Sequence, residues 1–227
     1  MLNKRRKRFA AMARPSLTEA QVDDFRRRAA EVAMRLFVEE GYEAFSLRTL
    51  ARELGVSHAT PYRYFASKAE IFAIVRAESF RRFGAFLRAR LSASSDPSAR
   101  LRILSEGYFD FALTEPAAFR LAFELGQPDS KDGGVVDAAA FEAWQVLVSV
   151  VAEAVEAGRL DGEPDALAQV LWAGVHGVAA LELAGRLRAG AGARALLESM
   201  TEALLRAHAP ASPPKNQKNT KKKRAKR

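Results

Sequence analysis

The chain has 227 residues, no cysteine, and 36 lysines and arginines against 27 acids, for a formal net charge of +9. Lack of cysteine excludes a disulfide framework, a thiolate metal site and a cysteine nucleophile, and it fits a cytoplasmic protein. The length allows one or two domains with a sizeable core, and helix formers dominate without sustained apolar–polar alternation, which predicts an all-α fold.

Charge is unevenly spread. Residues 1–14 hold six lysines and arginines and no acid, and residues 209–227 hold eight and no acid, so the body between them is net acidic. Within that body, 15–92 is basic on balance and 93–208 acidic. A polyanion partner is therefore expected at the first third and at the tails, with the acidic remainder facing away from it.

Residues 1–17 read as a disordered basic arm. Its run Lys4-Arg5-Arg6-Lys7-Arg8 starts like a signal peptide, but no apolar stretch follows. Such a run is either a solvated tail or an arm for phosphates or a minor groove. Thr18 with Gln21 forms a capping box, and Val22, Phe25, Ala29, Val32, Ala33, Leu36 and Phe37 make the buried stripe of a first helix that Gly41 ends. Ser46 caps a second helix with Leu47, Leu50, Ala51 and Leu54 on one face. Gly55 stops it by taking a left-handed turn. Val56 points to the core, and Ser57 caps a very short helix over 58–65. Pro61 is tolerated there because it lies in the first turn. This is a helix-turn-helix pattern, in which the second helix lies in the DNA major groove. His58, Thr60, Tyr62, Arg63 and Tyr64 can all bond to bases or phosphates. The three-helix DNA-binding domain thus covers 18–66.

Ser67 and Glu70 open a connecting helix over 67–92, with Ile71, Ile74, Val75, Phe83 and Leu87 inward. A second, wholly helical domain is expected over 93–208. Asp96-Pro97 opens its first helix and Thr114-Glu115-Pro116 closes it. A short helix from Pro116 to Gly126 follows, then a polar loop over 127–136. The next helix carries Phe141, Trp144, Leu147, Val148, Val151 and Val155 on one side and stops at Gly158. Pro164-Asp165 opens a helix to about Leu187, and a last helix runs over 193–208. Residues 209–227 are too polar to fold.

Catalytic and metal signatures are missing. His58, His176 and His208 lack metal-ligand spacing, and neither a Gly-x-Ser-x-Gly elbow nor a Walker loop occurs. Gly190, Gly192 and Ala195 match the tail of a dinucleotide fingerprint, but a helix precedes them instead of a strand. No enzyme activity, metal or cofactor is expected. No uninterrupted apolar stretch approaches membrane-spanning length, so no membrane partner is expected either.

Phe37, Gly41, Tyr42, Leu50, Ala51, Leu54-Gly55-Val56-Ser57, Tyr62, Tyr64-Phe65 and Ser67-Lys68 together resemble the DNA-binding domain of the TetR family of bacterial repressors, from about Ala20 to Phe80. The resemblance implies that His58, Ala59, Thr60 and Arg63 face bases. It implies that Tyr62 and Lys68 grip phosphates, with Arg48 and Ser46 assisting from the preceding helix and Ser57 belonging to the same DNA-binding set. Tyr62 and Tyr64 have packing against the first helix as their alternative role. The stretch Leu171-Trp172-Ala173-Gly174-Val175-His176-Gly177 resembles the Trp-His-Gly pattern of one branch of TetR-type regulatory domains.

Ala173, Gly177, Ala180 and Ala184 form a face of small residues that lets another helix approach closely. That helix belongs either to the same subunit or to a second copy. The resemblance implies a second copy, with Leu196, Met200 and Leu204 of the last helix completing a homodimer seam. Tyr108, Phe119, Phe123, Trp144, Trp172 and His176 are either core or the lining of a pocket for a small apolar effector, with His176 as its polar anchor or as a satisfied buried histidine. By resemblance, the whole is a dimeric repressor released from its double-stranded operator by that effector. The alternatives are a regulator, including an activator, whose second domain only dimerises, and a helical enzyme with an incidental helix-turn-helix.

Overall fold

The computed structural model describes residues 18–125, 133–187 and 192–210, and the two basic tails lie outside them apart from Ala209 and Pro210. The described residues are helical with no strand: α1 (Glu19–Ala44), α2 (Leu47–Glu53), a single 3-10 turn (Pro61–Arg63), α3 (Lys68–Leu91), α4 (Pro97–Thr114), α5 (Pro116–Phe123), α6 (Gly133–Glu156), α7 (Pro164–Leu183) and α8 (Gly192–Ala207). The chain divides into two compact units, residues 1–72 and 73–227, and the division falls inside α3.

The first unit is held by local caps and an aromatic core. Thr18 and Gln21 form the expected capping box at the start of α1. Gly41 bends the helix instead of ending it. At φ 81 it breaks the helical path, and one further turn runs to Ala44. Phe37 lies at the centre, fully buried, with Phe45 stacked on it at 4.0 Å and Phe72 edge-on at 4.8 Å. Arg35 of α1 holds Glu53 of α2 at 2.8 Å, which fixes the pair on the outside.

In the second unit α4 is central, packed against α5, α6, α7 and α8, while α7 also packs on α6 and α8. The side chains of Asp96 and Glu163 accept N–H bonds at the starts of α4 and α7, each just ahead of a proline at the first helical position. Proline suits that position because its N–H would be unpaired anyway.

Four further expectations need correction. Residues 133–136 are helical, because Val136 starts the buried row Val136, Ala139, Ala143, Val146 and Val150. That row turns Phe141 outward, 62% exposed, where an inward position was expected. α7 ends at Leu183, four residues early, since the Arg186 N–H folds back onto the Leu181 carbonyl at 2.9 Å. Finally, residues 134–156 of α6 and all of α7 are long and apolar enough, by length and composition, to cross a membrane. Both helices pack on α4 and on each other, and well under half of each is buried within the protomer.

Candidate functional site

The turn after α2 is built by one glycine. Gly55 sits at φ 66, so the Val56 N–H reaches back to the Ala51 carbonyl at 3.0 Å and the Gly55 N–H to Arg52 at 3.1 Å. This six-residue closure needs the left-handed conformation that a side chain resists. At the other end of α2, Ser46 Oγ accepts the Thr49 N–H at 3.0 Å. Ser46 is thereby engaged as a cap, and Arg48 beside it is exposed.

The expected helix over 58–65 is not an α-helix. Thr60 N–H bonds the Ser57 carbonyl at 2.8 Å, Arg63 bonds Thr60 at 3.1 Å, and Tyr64 bonds Pro61 at 2.9 Å. In an α-helix the Ser57 carbonyl would take its proton from residue 61. Pro61 has none, so the donor is one residue earlier and the turn tightens to three residues. The segment nevertheless presents the expected groups: Ser57, His58, Ala59, Tyr62 and Arg63 are exposed and Thr60 half-buried. Tyr64 lies on the inner side, its ring stacked on Phe25 at 4.2 Å. Lys68 Nζ donates to the carbonyls of Tyr42 at 2.9 Å and Glu43 at 3.3 Å and lies 4.3 Å from the centre of the Tyr42 ring. It ties α3 to the last turn of α1, a bond that spacing alone does not reveal.

A second candidate site is an apolar cavity of about 370 Å³ in the second unit. Its walls are Phe80, Phe83, Ala122, Phe123, Ala140, Ala143, Trp144, Leu147, Gln169 and Trp172. No charged side chain lines it, and Gln169 is the one amide. Of the residues expected there, Phe123, Trp144 and Trp172 line it. Tyr108 and Phe119 are buried behind, at 2% and 0% exposure, and His176 is not part of the wall. Sequence reading did not place Phe80, Phe83, Ala122, Ala140, Ala143, Leu147 or Gln169 in the wall. The signal available for α6 was the spacing of Ala140, Ala143, Trp144 and Leu147 on one helical face.

His176 is committed inside the protein. Its Nδ1 lies 2.9 Å from Tyr108 Oη, and Trp172 Nε1 donates to that same hydroxyl at 3.2 Å. Burial holds the His176 pKa below its ordinary value, against an opposing pull from Glu124, and pushes the Tyr108 phenol up. Among the described residues no three histidine or acidic side chains gather closely enough to hold a metal ion.

On α7, the close intrachain contact is at Gly174, where an added Cβ would lie 2.7 Å from Met200 Sδ. Gly177 is different: a Cβ there would meet nothing within 4 Å. Ala173 and Ala184 are exposed, Gly177 and Ala180 half-buried, and Val170 and Leu181 extend the same apolar stripe at 42% and 44% exposure. Leu196, Met200 and Leu204 of α8 are half-buried, with Met200 and Leu204 reaching Gly174.

Comparison with known proteins agrees with this arrangement. Residues 30–75 match the model described as bacterial regulatory proteins, tetR family, and residues 101–204 match the one described as tetracyclin repressor-like, C-terminal domain. The HTH-type transcriptional activator FasR of Mycolicibacterium smegmatis is 31% identical over 102 residues, 45% of this chain and 47% of that protein. The match thus spans about half the length of that relative. A protein of unknown function from Rhodococcus sp. RHA1 superposes with a TM-score of 0.70 at 28% identity, over 82% of this chain and 95% of the other. The fatty acid degradation regulator FadR from Bacillus halodurans shares the fold, with a TM-score of 0.65 at 20% identity over 79% and 97% of the two chains.

Proposed function

The chain belongs to the tetR family of bacterial regulatory proteins, and from that premise we propose that it is a cytoplasmic, homodimeric transcriptional regulator that binds operator DNA through residues 46–68 and is released by a small apolar effector. The observation that carries the reading is the segment 57–63 beyond the Gly55 turn, in which His58, Tyr62 and Arg63 are exposed. These are donors suited to base edges and phosphates. The effector half of the proposal is supported by the apolar cavity, since a concave, mostly apolar site with few polar groups is the usual form of a small-molecule site. Control by an effector requires different affinities in the DNA-competent and incompetent states. α3 runs without a break from the first unit into the second and is the natural route for that coupling.

Selection of bound sequences from random DNA tests the first half, with enrichment of a two-fold motif expected and recovery of random sequence counting against it. A thermal-shift screen of small apolar molecules tests the second. Ala140→Phe fills the cavity and should abolish both the shift and effector release while operator binding persists. Activation is the second reading, favoured by the name of the FasR relative. A reporter behind the selected operator decides between the two: deletion of the gene raises expression under repression and lowers it under activation.

A further inference from the structure

The Trp-His-Gly stretch of α7 contains a hydrogen-bonded relay that the family reading leaves unused. Trp172 and His176 are one helical turn apart and so share a face of α7. From α4, the Tyr108 hydroxyl meets both, at 3.2 Å from Trp172 Nε1 and 2.9 Å from His176 Nδ1. An indole N–H only donates, so the phenol oxygen accepts from Trp172 and its own proton goes to His176 Nδ1. That assignment makes His176 the neutral tautomer protonated on Nε2. Three polar groups in aromatic surroundings satisfy one another in a single chain, and only Trp172 reaches the cavity.

Trp172 is a planar wall there, with Trp144 edge-on to it at 83° and 6.3 Å. An indole free to swing would accept ligands of many shapes, whereas one pinned at its N–H accepts few. An ionic ligand would lose its hydration with no charged partner in the wall. We propose that Tyr108 and His176 are positioning residues for effector recognition: they lock the Trp172 indole so that the cavity selects a flat, uncharged ligand stacking on that ring. This rests on reading the cavity as the effector site.

The test uses the full chain labelled with 5-fluorotryptophan. Its two tryptophans give two fluorine resonances, assigned with Trp144→Phe. Without ligand, Tyr108→Phe should shift and broaden the Trp172 resonance and spare that of Trp144. His176→Phe should do so less, and His176→Gln, which keeps an acceptor, should restore it. An unchanged Trp172 resonance in both Tyr108→Phe and His176→Phe would overturn the positioning role, whether or not any ligand binds. N-phenyl-1-naphthylamine, neutral and aromatic, should bind the wild type more tightly than its sulfonated relative 8-anilinonaphthalene-1-sulfonate. Tyr108→Phe should weaken the neutral probe about three- to tenfold, the scale of one lost hydrogen bond. Unchanged affinity in Tyr108→Phe and His176→Phe, with binding lost in the cavity-filling Ala140→Phe, would overturn the positioning role alone. Probe binding that survives Ala140→Phe would overturn the cavity reading. Failure of the wild type to prefer the neutral probe would overturn the ligand class.

Discussion

Arg63 stands out among the exposed side chains of the reading segment because a guanidinium fork matches O6 and N7 of guanine. Arg63→Ala should cost about 1–3 kcal/mol on the preferred sequence and relax one base position. A base preference identical to wild type, read by binding to a randomised operator, would reassign Arg63 to the backbone. Tyr62, 60% exposed, should behave differently. Tyr62→Phe is expected to weaken all sequences alike. Tyr64 stacks on Phe25, so its truncation should reduce stability first. His176 supplies a pH effect. Burial lowers its pKa below the ordinary 6.5, so the unfolded chain takes up a proton that the native chain resists. Burial of the neutral ring therefore favours the native chain above pH 6.5, and that contribution is lost as pH falls through the lowered value. The melting temperature of the wild type should drop between pH 7 and 5 more than that of His176→Gln, and equal drops would remove His176 from the account.

The two glycines of α7 separate two kinds of helix contact. Gly174 faces Met200 and Leu204 of α8, so Gly174→Leu should overpack the protomer at a cost of about 1–3 kcal/mol. Gly177 has open space beside it on the exposed apolar stripe. Gly177→Leu should leave the melting of the protomer nearly unchanged and disrupt the dimer. Monomers then lose operator affinity, because a two-fold operator needs both reading units. Sedimentation and thermal melting of the two variants give the comparison. A Gly177→Leu chain that sediments as a dimer would move the seam to another face.

Charge acts on the whole molecule. The segments 1–14 and 209–227 together hold fourteen positive charges and no acid. Each phosphate neutralised adds about 0.9 to the slope of log affinity against log salt on duplex DNA. Removing both segments should lower that slope by several units and weaken nonspecific binding most, with the preferred sequence unchanged. Deleting the first should matter more, since it adjoins α1 of the DNA-binding unit, while the second follows α8 of the other. Equal slopes for the full chain and both truncations would show that neither segment touches DNA.

The helices, their caps and the turn at Gly55 were legible in the sequence because each depends on residues within one or two turns. Thr18 with Gln21, Asp96 before Pro97 and the φ 66 of Gly55 are chemistry between near neighbours. The reading segment was legible as a site, though its three-residue winding was not, because the missing N–H of Pro61 leaves the Ser57 carbonyl to the Thr60 N–H. The inward stripes of α1, α2 and α3 were legible as well, and what spacing could not supply was how α6 and α7 turn. The buried row beginning at Val136 rotated Phe141 into solvent, and the division of labour between Gly174 and Gly177 followed from where α8 lies. The aromatic residues were visible as a group, but only the packing of α3, α5, α6 and α7 put Phe80, Trp144 and Trp172 on one cavity. Lys68 to Tyr42 and Tyr108 to His176 are bonds across 26 and 68 residues of chain. Such pairings are set by tertiary packing, which no local preference encodes.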